Sequence, residues 1–303
     1  MLDKTKIGRL GIWTNIHADS YAGQIKLAQQ VEHLGYGAIW VPDPVAKDPF
    51  VSLSLLAKET DKLFLATGIA NIYTRAAACM AGTRRSLGEL SKGRFILGLG
   101  VSHMELISDI LKMDYKKPVA TMREYLEALQ PPRIFDQQAE SETSEDKSNY
   151  GMVVLAALGN KMLALARERA DGAHPYLTTP EHTARAREIL GPESFLAPEQ
   201  KVLLEKDAST ARAVARKYLA LYLGLRNYRN NLLSLGFSEE DFEGGGSDRL
   251  VDALVAWGDE TKIHRHLDAH WNSGADHVCI QLLRADGGFG YDQKALAAFA
   301  PGG

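Results

Sequence analysis

The sequence predicts an α/β fold in which parallel strands alternate with helices around a closed barrel. Short apolar runs of strand length alternate with segments of helical period along most of the chain, which is typical of βαβ units. Eight such runs are found, and they predict a TIM (β/α)8 barrel more simply than an open sheet. No GxGxxG sequence follows an early strand, which disfavours the open dinucleotide-binding sheet. The length, 303 residues, fits one barrel domain over residues 1–303.

The predicted strands are apolar runs of the kind that a parallel sheet buries on both faces. They are, in order, Leu10–Thr14, Ala38–Val41, Leu63–Ile69, Phe95–Leu99, Met152–Ala157, Gly172–Tyr176, Lys201–Leu204 and His277–Ile280. Helices are predicted between them where apolar residues recur every three or four positions. In the first helix Leu27, Val31 and Leu34 share one face, and Gly35 ends it. The helices are, in order, Tyr21–Leu34, Phe50–Glu59, Ala76–Leu90, Lys161–Arg169, Glu181–Leu190 and Lys262–Trp271.

Two connections are longer than the barrel pattern requires. Residues 136–149 lack apolar side chains almost entirely, so we interpret them as an exposed loop. Residues 208–257 are mostly of helical pattern, and three consecutive glycines at 244–246 indicate a break within them. The sequence therefore predicts insertions after strands four and seven.

The composition is that of an ordinary globular protein. Hydrophobic residues make up 45% and charged residues 24%, with a formal net charge of −3. This balance gives no basic surface for a nucleic acid, so we expect a small-molecule substrate as the main partner. Cys79 and Cys279 lie far apart and outside any CxxC or Cys/His spacing, which disfavours a disulfide framework, a zinc site and a redox pair.

The sequence also bears on location. No apolar stretch approaches the roughly 18 residues that a membrane span needs. The first residues, Met1 to Lys6, lack the apolar core of a secretory signal. We therefore expect a cytoplasmic protein without a membrane partner.

Polar side chains follow the first four predicted strands, at the barrel face where active sites of this architecture lie. His17 follows strand one, Asp43 follows strand two, Asn71 follows strand three, and Ser102 and His103 follow strand four. Imidazole titrates near pH 6.5 and a carboxylate can orient or charge a neighbour, so His17, Asp43 and His103 are candidates for proton transfer. For each residue taken alone, a structural role fits the sequence equally well.

The turn Leu158–Lys161 after strand five is the best candidate for an anion site. It opens a predicted helix, whose first N–H groups have no partner within the helix and whose dipole favours negative charge. Gly159 would allow a ligand to approach the backbone, and Lys161 would add a full charge. His266 and His270 lie four residues apart on a predicted helix, but no third ligand is evident, so we favour a solvated helix face over a metal site.

Several segments spread over nearly the whole chain form a combination that is more specific than any one motif. They are Glu32–Asp43, Leu65–Asn71, Arg75, Leu90–Gly100, Ala156–Met162, Ala170–Ala173 and Gly274–Val278. Together they resemble the luciferase-like monooxygenase family, especially its branch that uses coenzyme F420.

The resemblance implies a bacterial luciferase-like TIM barrel with a deazaflavin or flavin across the carboxyl ends of the strands. It implies a cis peptide between Gly68 and Ile69 against the ring, and a phosphate at the turn Leu158–Lys161. The implied cofactor-binding residues are Asp43, Gly68, Ile69, Ala70, Asn71, Val101, Ser102, Ala157, Leu158, Gly159, Asn160 and Lys161. Relatives often form dimers, so the resemblance also implies a homodimer.

Two positions depart from relatives that oxidise sugar phosphates or alcohols. Those relatives often carry His after the strand-two Asp and Glu after strand four, whereas Pro44 and His103 stand here. Because Pro44 cannot act as a base, the sugar-phosphate reading is disfavoured, and His103, with His17 or Asp43, becomes the expected catalytic group.

Three functions follow from the resemblance. The leading hypothesis is an F420-dependent oxidoreductase that transfers a hydride to or from a small organic substrate. An FMN-dependent monooxygenase that receives reduced flavin from a partner flavin reductase is the alternative. A barrel that binds a flavin without catalysis is a further alternative, because fold does not establish function.

Overall fold

The computed structural model describes residues 4–16, 19–44, 47–129 and 150–302. Its strands are β1 Leu10–Trp13, β2 Ala38–Val41, β3 Phe64–Thr67, β4 Ala70–Asn71, β5 Phe95–Gly100, β6 Met152–Leu155, β7 Gly172–Ala173, β8 Phe195–Leu196, β9 Glu199–Leu203, β10 Val255–Trp257 and β11 Val278–Leu282. All strand pairs are parallel, and the hydrogen-bonded order is β10-β9-β11-β1-β2-β3-β5-β6-β7-β8, with β4 beside β5.

One stretch of chain connects the two sides of this sheet. Only Ala197 and Pro198 separate β8 from β9. β8 pairs with β7, whereas β9 pairs with β11, which in turn pairs with β1. The sheet therefore curves around as the parallel strands of an α/β barrel do.

Helices follow most strands, and polar residues cap many of their amino ends. Ser20 accepts a hydrogen bond from Gly23 N, Asp48 from Phe50 N, and Asp207 from Thr210 N. The helices are α1 Tyr21–His33, α2 Pro49–Glu59, α3 Ala77–Leu90, α4 Pro118–Ala128, α5 Asn160–Arg169, α6 Pro180–Leu190, α7 Ala208–Leu223, α8 Arg226–Ser234, α9 Asp248–Leu254, α10 Glu260–Asn272 and α11 Gln293–Ala298. Shorter helical segments are Lys4–Ile7, the π-helical Glu105–Ile110 and Glu239–Gly245.

Apolar side chains pack on both faces of the sheet. Inside the barrel, Trp13, Trp40, Phe195 and Cys279 belong to one buried cluster. A larger cluster fills the space between the strands and the surrounding helices, and a third lies among α7, α8 and α9. Burial on both faces explains why the strands have the continuous apolar sequences that predicted them.

The predicted strands are found, with differences at their ends. Strand three was predicted to reach Ile69, but β3 ends at Thr67, where a cis peptide between Gly68 and Ile69 interrupts the ladder before β4. The pattern also missed β8 and β10, which are too short for an apolar run to be distinctive.

The two long connections agree only partly with their predictions. Residues 136–149 lie outside the described residues. The segment after β9 is mostly helical, and the glycines at 244–246 all have positive φ at the break in Glu239–Gly245. Whether these connections are insertions relative to the family, and whether the chain acts as one domain, stay predictions. Among the described helices, none has both the length and the apolar character that crossing a membrane requires.

Candidate functional site

A cavity of about 840 Å³ opens at the carboxyl ends of the strands. Its volume lies within the range of cofactor and small-molecule sites. The predicted site residues that line it are Asp43, Gly68, Ile69, Val101, Ser102, His103, Ala157, Leu158, Gly159, Asn160 and Lys161. Ala70 and Asn71, in contrast, are buried and do not belong to the cavity wall, and His17 lies outside the described residues. The sequence thus placed most of its candidates around one cavity.

The end of β3 forms one wall of the cavity through its backbone. The Gly68-Ile69 peptide is cis, as the family resemblance implies. The Trp13 indole N–H donates to the Gly68 carbonyl at 2.9 Å. A Cβ on Gly68 would lie 2.8 Å from the indole nitrogen and 3.2 Å from Nε2 of His174, so a side chain at this position would displace its neighbours.

The Ile69 side chain lies against β5 because that strand has glycines where it crosses. A Cβ on Gly100 would come within contact of Ile69, at 2.4 Å from Cδ1. Next to it, the Thr67 hydroxyl donates to the Gly98 carbonyl at 2.8 Å and accepts from Gly98 N at 2.9 Å. These contacts fix the position of Ile69, which remains half-buried at the cavity wall.

Asp43 is the one acidic residue among the described side chains that line the cavity. Its Oδ2 accepts from the backbone N–H of Asn71 at 3.1 Å. The Asn71 side chain accepts from Tyr73 N at 3.0 Å. Asn71 therefore shapes the turn after β4 and holds Asp43, whereas the resemblance implied direct contact of Asn71 with the cofactor.

His103 contacts a helix that the sequence did not connect with it. Its Nδ1 lies 3.1 Å from Oδ1 of Asn227 on α8, and its ring centroid lies 5.4 Å from that of Tyr228. Because an amide oxygen only accepts, Nδ1 carries the hydrogen and Nε2 is left as the acceptor. Burial lowers the pKa of His103, and the Asn227 contact partly opposes this. A neutral imidazole with Nε2 unprotonated suits a base.

The turn between β6 and α5 is open to the cavity. Gly159 precedes the first turn of α5 without a side-chain cap, and a Cβ there would meet nothing within 4 Å. Nε2 of His182 donates to the Leu158 carbonyl at 2.8 Å, which ties the turn to α6. Uncapped N–H groups at a helix start can bind an anion, so an anion site at this turn stays a prediction.

Below the β3 backbone lies a buried histidine that the sequence analysis did not single out. His174 is 1% exposed, and its Nδ1 donates to the Ala197 carbonyl at 2.7 Å. Burial lowers its pKa to about 4, so the ring is neutral and Nε2 is an acceptor. Among the residues that the structure describes, Nε2 has no hydrogen-bond partner.

A tyrosine wall, formed by Tyr176, Tyr222 and Tyr228, closes another side of the cavity. The hydroxyls of Tyr176 and Tyr222 lie 2.9 Å apart, and the Tyr176 hydroxyl donates to Oε1 of Gln281 at 2.8 Å. Behind the wall Nζ of Lys201 lies 4.0 Å from the Tyr176 ring centroid. These aromatic faces favour a flat or apolar ligand.

No metal centre is built from the described residues. Within them, no group of three or more His, Cys, Asp or Glu side chains could hold a metal ion. The predicted solvated face of α10 is wrong for His270, which is fully buried and lies 2.8 Å from both Oε1 of Gln200 and the Thr183 hydroxyl. His270 therefore has a structural role in packing α10 against β9 and α6.

The cavity of this parallel α/β barrel lies at the carboxyl face, where the active sites of barrel enzymes are found. The chain matches the family described as luciferase-like monooxygenase over residues 8–277, and it belongs to that family. It is 29% identical over 215 residues to the 5,10-methylenetetrahydromethanopterin reductase of Methanolobus tindarius. This alignment covers 64% of the chain and 65% of that reductase, just under two thirds of the relative's length.

Two solved structures share the fold across almost the whole chain. The coenzyme F420-dependent tetrahydromethanopterin reductase of Methanopyrus kandleri has a TM-score of 0.74 and 18% identity, covering 97% of each chain. The oxygenating constituent of 3,6-diketocamphane monooxygenase from Pseudomonas putida, solved with FMN, has a TM-score of 0.69 and 13% identity, also covering 97% of each chain. At these identities the likeness is one of fold.

Proposed function

We propose that this protein is an oxidoreductase that transfers a hydride between coenzyme F420 and a small organic substrate. One observation carries the proposal: a single cavity is bounded by the Gly68-Ile69 backbone and by the uncapped turn before α5. A ligand with a flat ring at one end and a phosphate at the other matches both features. The family membership supports the same class of reaction.

The residues present fit such a cofactor. The space beside Gly68 would be filled by a Cβ, and Gly159 leaves open space before the helix start. Lys161 is exposed at this helix start and lines the cavity. The turn from Leu158 to Lys161 would hold the phosphate, and Ile69, Val101 and Ser102 would contact the ring or its polyol chain.

The cofactor, when bound, would supply the hydride chemistry at its ring. The chain would supply position and proton transfer. Nε2 of His103 would take the proton that leaves the substrate with the hydride, or return it in the reverse direction. Pro44 also lines the cavity and has no group that could do this, whereas Asp43 lines it as a second candidate for proton transfer.

The choice of cofactor has two candidates. The Methanopyrus reductase is named as F420 dependent, and it supports F420 here. The Pseudomonas oxygenase holds FMN in the same fold, and it supports the alternative of an FMN-dependent monooxygenase with a partner flavin reductase.

The leading proposal also includes a homodimer and a cytoplasmic location. It further includes a catalytic role, in contrast to a protein that only binds a flavin.

Titration of the purified protein with F420 and with FMN, followed by cofactor fluorescence, tests the proposal. We expect saturable binding of F420 and tighter binding of F420 than of FMN. Turnover then separates the remaining candidates, since reduced F420 alone should support the leading function, whereas oxygen uptake with reduced FMN would favour the monooxygenase. Saturable binding with no turnover across a broad substrate panel would favour the non-catalytic alternative, and no binding of either cofactor would overturn all three.

A further inference from the structure

One part of the cavity wall carries an arginine that none of the predicted roles uses. Arg185 on α6 lines the cavity together with Asn231 and Ser234 on α8. One guanidinium nitrogen of Arg185 donates to Oδ1 of Asn231 at 2.7 Å, and the other donates to the Ser234 hydroxyl at 2.9 Å. These two contacts hold the guanidinium in place at the cavity wall.

This guanidinium has neutral partners only. No carboxylate among the described residues forms an ion pair with Arg185, and burial lowers its pKa without an acidic neighbour to oppose the shift. A partly desolvated cation without a counter-charge favours an anionic ligand. The Nε atom of Arg185 is buried and has no partner in the described part of the chain.

Asn231 provides the second, independent observation. It is 6% exposed, and its Nδ2 has no hydrogen-bond partner among the residues that the structure describes. Because Oδ1 already accepts from Arg185, the amide orientation leaves Nδ2 as a donor beside the guanidinium. A buried donor without a partner costs free energy, which a ligand acceptor would recover.

The position of Arg185 relates this cluster to the turn before α5. His182 bonds the Leu158 carbonyl, and Arg185 follows His182 by one helical turn on α6, so both lie on the same face of that helix. Lys161 and Arg185 are the lysine and arginine among the described cavity residues. Asp43 follows β2, and the turn Leu158–Lys161 follows β6. Two strands, β3 and β5, lie between β2 and β6 in the sheet, so the negative charge of Asp43 lies at a different part of the cavity mouth from the positive charges.

We propose that Arg185 and the Asn231 amide form a second anion-binding subsite, which would bind the cofactor phosphate in addition to the turn Leu158–Lys161. Ser234 holds the guanidinium, and its own hydroxyl hydrogen is donated to the main-chain carbonyl of Asn231 at 2.6 Å. This subsite rests on the proposed function, because it needs a phosphorylated flavin or deazaflavin in the cavity. It adds a side-chain cation to the backbone N–H groups of the turn. Two residues of α8 hold the arginine in place.

The test compares ligand pairs that differ in the phosphate. FMN is paired with riboflavin, which lacks only the phosphate and is therefore the decisive pair. F420 is paired with 8-hydroxy-5-deazariboflavin, which lacks the phosphate and the acidic tail attached to it, and each Kd is measured by fluorescence titration. Arg185→Gln should weaken FMN or F420 binding by at least about tenfold, which corresponds to the loss of a charge-assisted hydrogen bond. The same variant should leave the Kd of the partner without phosphate unchanged.

Two further variants make the test specific. Asn231→Asp keeps the side-chain volume but places a carboxylate against Arg185, and it should weaken the phosphorylated ligands only. Arg226→Gln removes the same charge from an exposed position on α8 outside the cavity wall, and it should change neither Kd. Circular dichroism melting shows whether each variant folds.

The outcomes separate the two proposals. If wild-type protein binds neither ligand pair, the proposed function fails. If wild-type protein prefers the phosphorylated ligands but Arg185→Gln and Asn231→Asp keep that preference, the subsite is wrong while the function stands. Equal weakening of both members of a pair in these variants likewise overturns the subsite, because it shows a general effect on the cavity.

Discussion

Nδ1 of His103, at the end of β5, lies 3.1 Å from Oδ1 of Asn227 on α8, so one hydrogen bond joins the barrel rim to the helical segment that follows β9. The contact fixes the tautomer in which Nε2 accepts. It also stabilises the protonated ring, whereas burial has the opposite and larger effect on its pKa. Asn227 is thus a positioning residue for the proposed base.

The first prediction concerns the pH dependence of turnover. His103→Ala should lower kcat by about 100-fold or more while cofactor Kd stays unchanged, the usual cost of losing a general base.

In the direction where His103 takes a proton, activity falls at low pH as the ring becomes protonated. Asn227→Asp should raise the pKa of His103 and move this acid limb to higher pH, and Asn227→Ala should move it to lower pH. Rate measurements across pH 5–9 would check both shifts, and an acid limb that stays in place in both variants would remove Asn227 from the mechanism.

Much of the barrel and its rim can be predicted from sequence because local patterns determine them. The strands are buried on both faces, so runs such as Ala38–Val41 are distinctive. The residues after each strand then come together by topology, and Asp43, Ser102 and His103 all line the cavity.

What the sequence could not show depends on long-range packing. Asn227, Asn231 and Tyr228 lie on α8, whose helical period reveals an amphipathic helix but not the element that it covers. The asparagine-rich segment Arg226–Ser234 was the one available signal, because asparagine is a poor helix former. The predicted solvated position of His270 was wrong for the same reason. Its neighbours on α10 are charged, but its own face of the helix packs against Gln200.

The second prediction concerns the glycine beside the indole of Trp13. Gly68→Ala would place a Cβ 2.8 Å from the indole nitrogen, so we expect a loss of about 1–3 kcal/mol in the free energy of unfolding and loss of cofactor binding. Gly82→Ala is the matched control, since Gly82 lies in α3 with nothing within 4 Å of the added Cβ. It should stabilise the protein by about 0.5–1 kcal/mol and leave binding unchanged. Urea unfolding and cofactor titration measure both effects. If Gly68→Ala unfolds and binds the cofactor as the wild type does, the Gly68 backbone does not fit tightly against the Trp13 indole.

The third prediction concerns the buried ion pair behind the tyrosine wall. Lys201 and Glu199 are each 1% exposed, with Nζ 3.1 Å from Oε1, and Oε2 of Glu199 accepts from Leu177 N at 3.1 Å. Burial raises the pKa of Glu199, and Lys201 opposes that shift. Lys201→Met would leave a buried carboxylate without its cation and should destabilise the protein by about 3–5 kcal/mol at neutral pH.

The pH dependence of this variant follows from the same shift. Without Lys201 the pKa of Glu199 in the folded state rises further above its unfolded value. As pH rises from about 4.5, the usual pKa of a glutamate, the unfolded state loses its proton first, so the folded state of Lys201→Met becomes less stable. The melting temperature of this variant should therefore fall between pH 5 and pH 8 relative to wild type. The double variant Glu199→Gln with Lys201→Met removes the charge and should recover much of the stability and lose the added pH dependence. If Lys201→Met is as stable as the wild type at pH 8, the ion pair between Lys201 and Glu199 does not stabilise the fold.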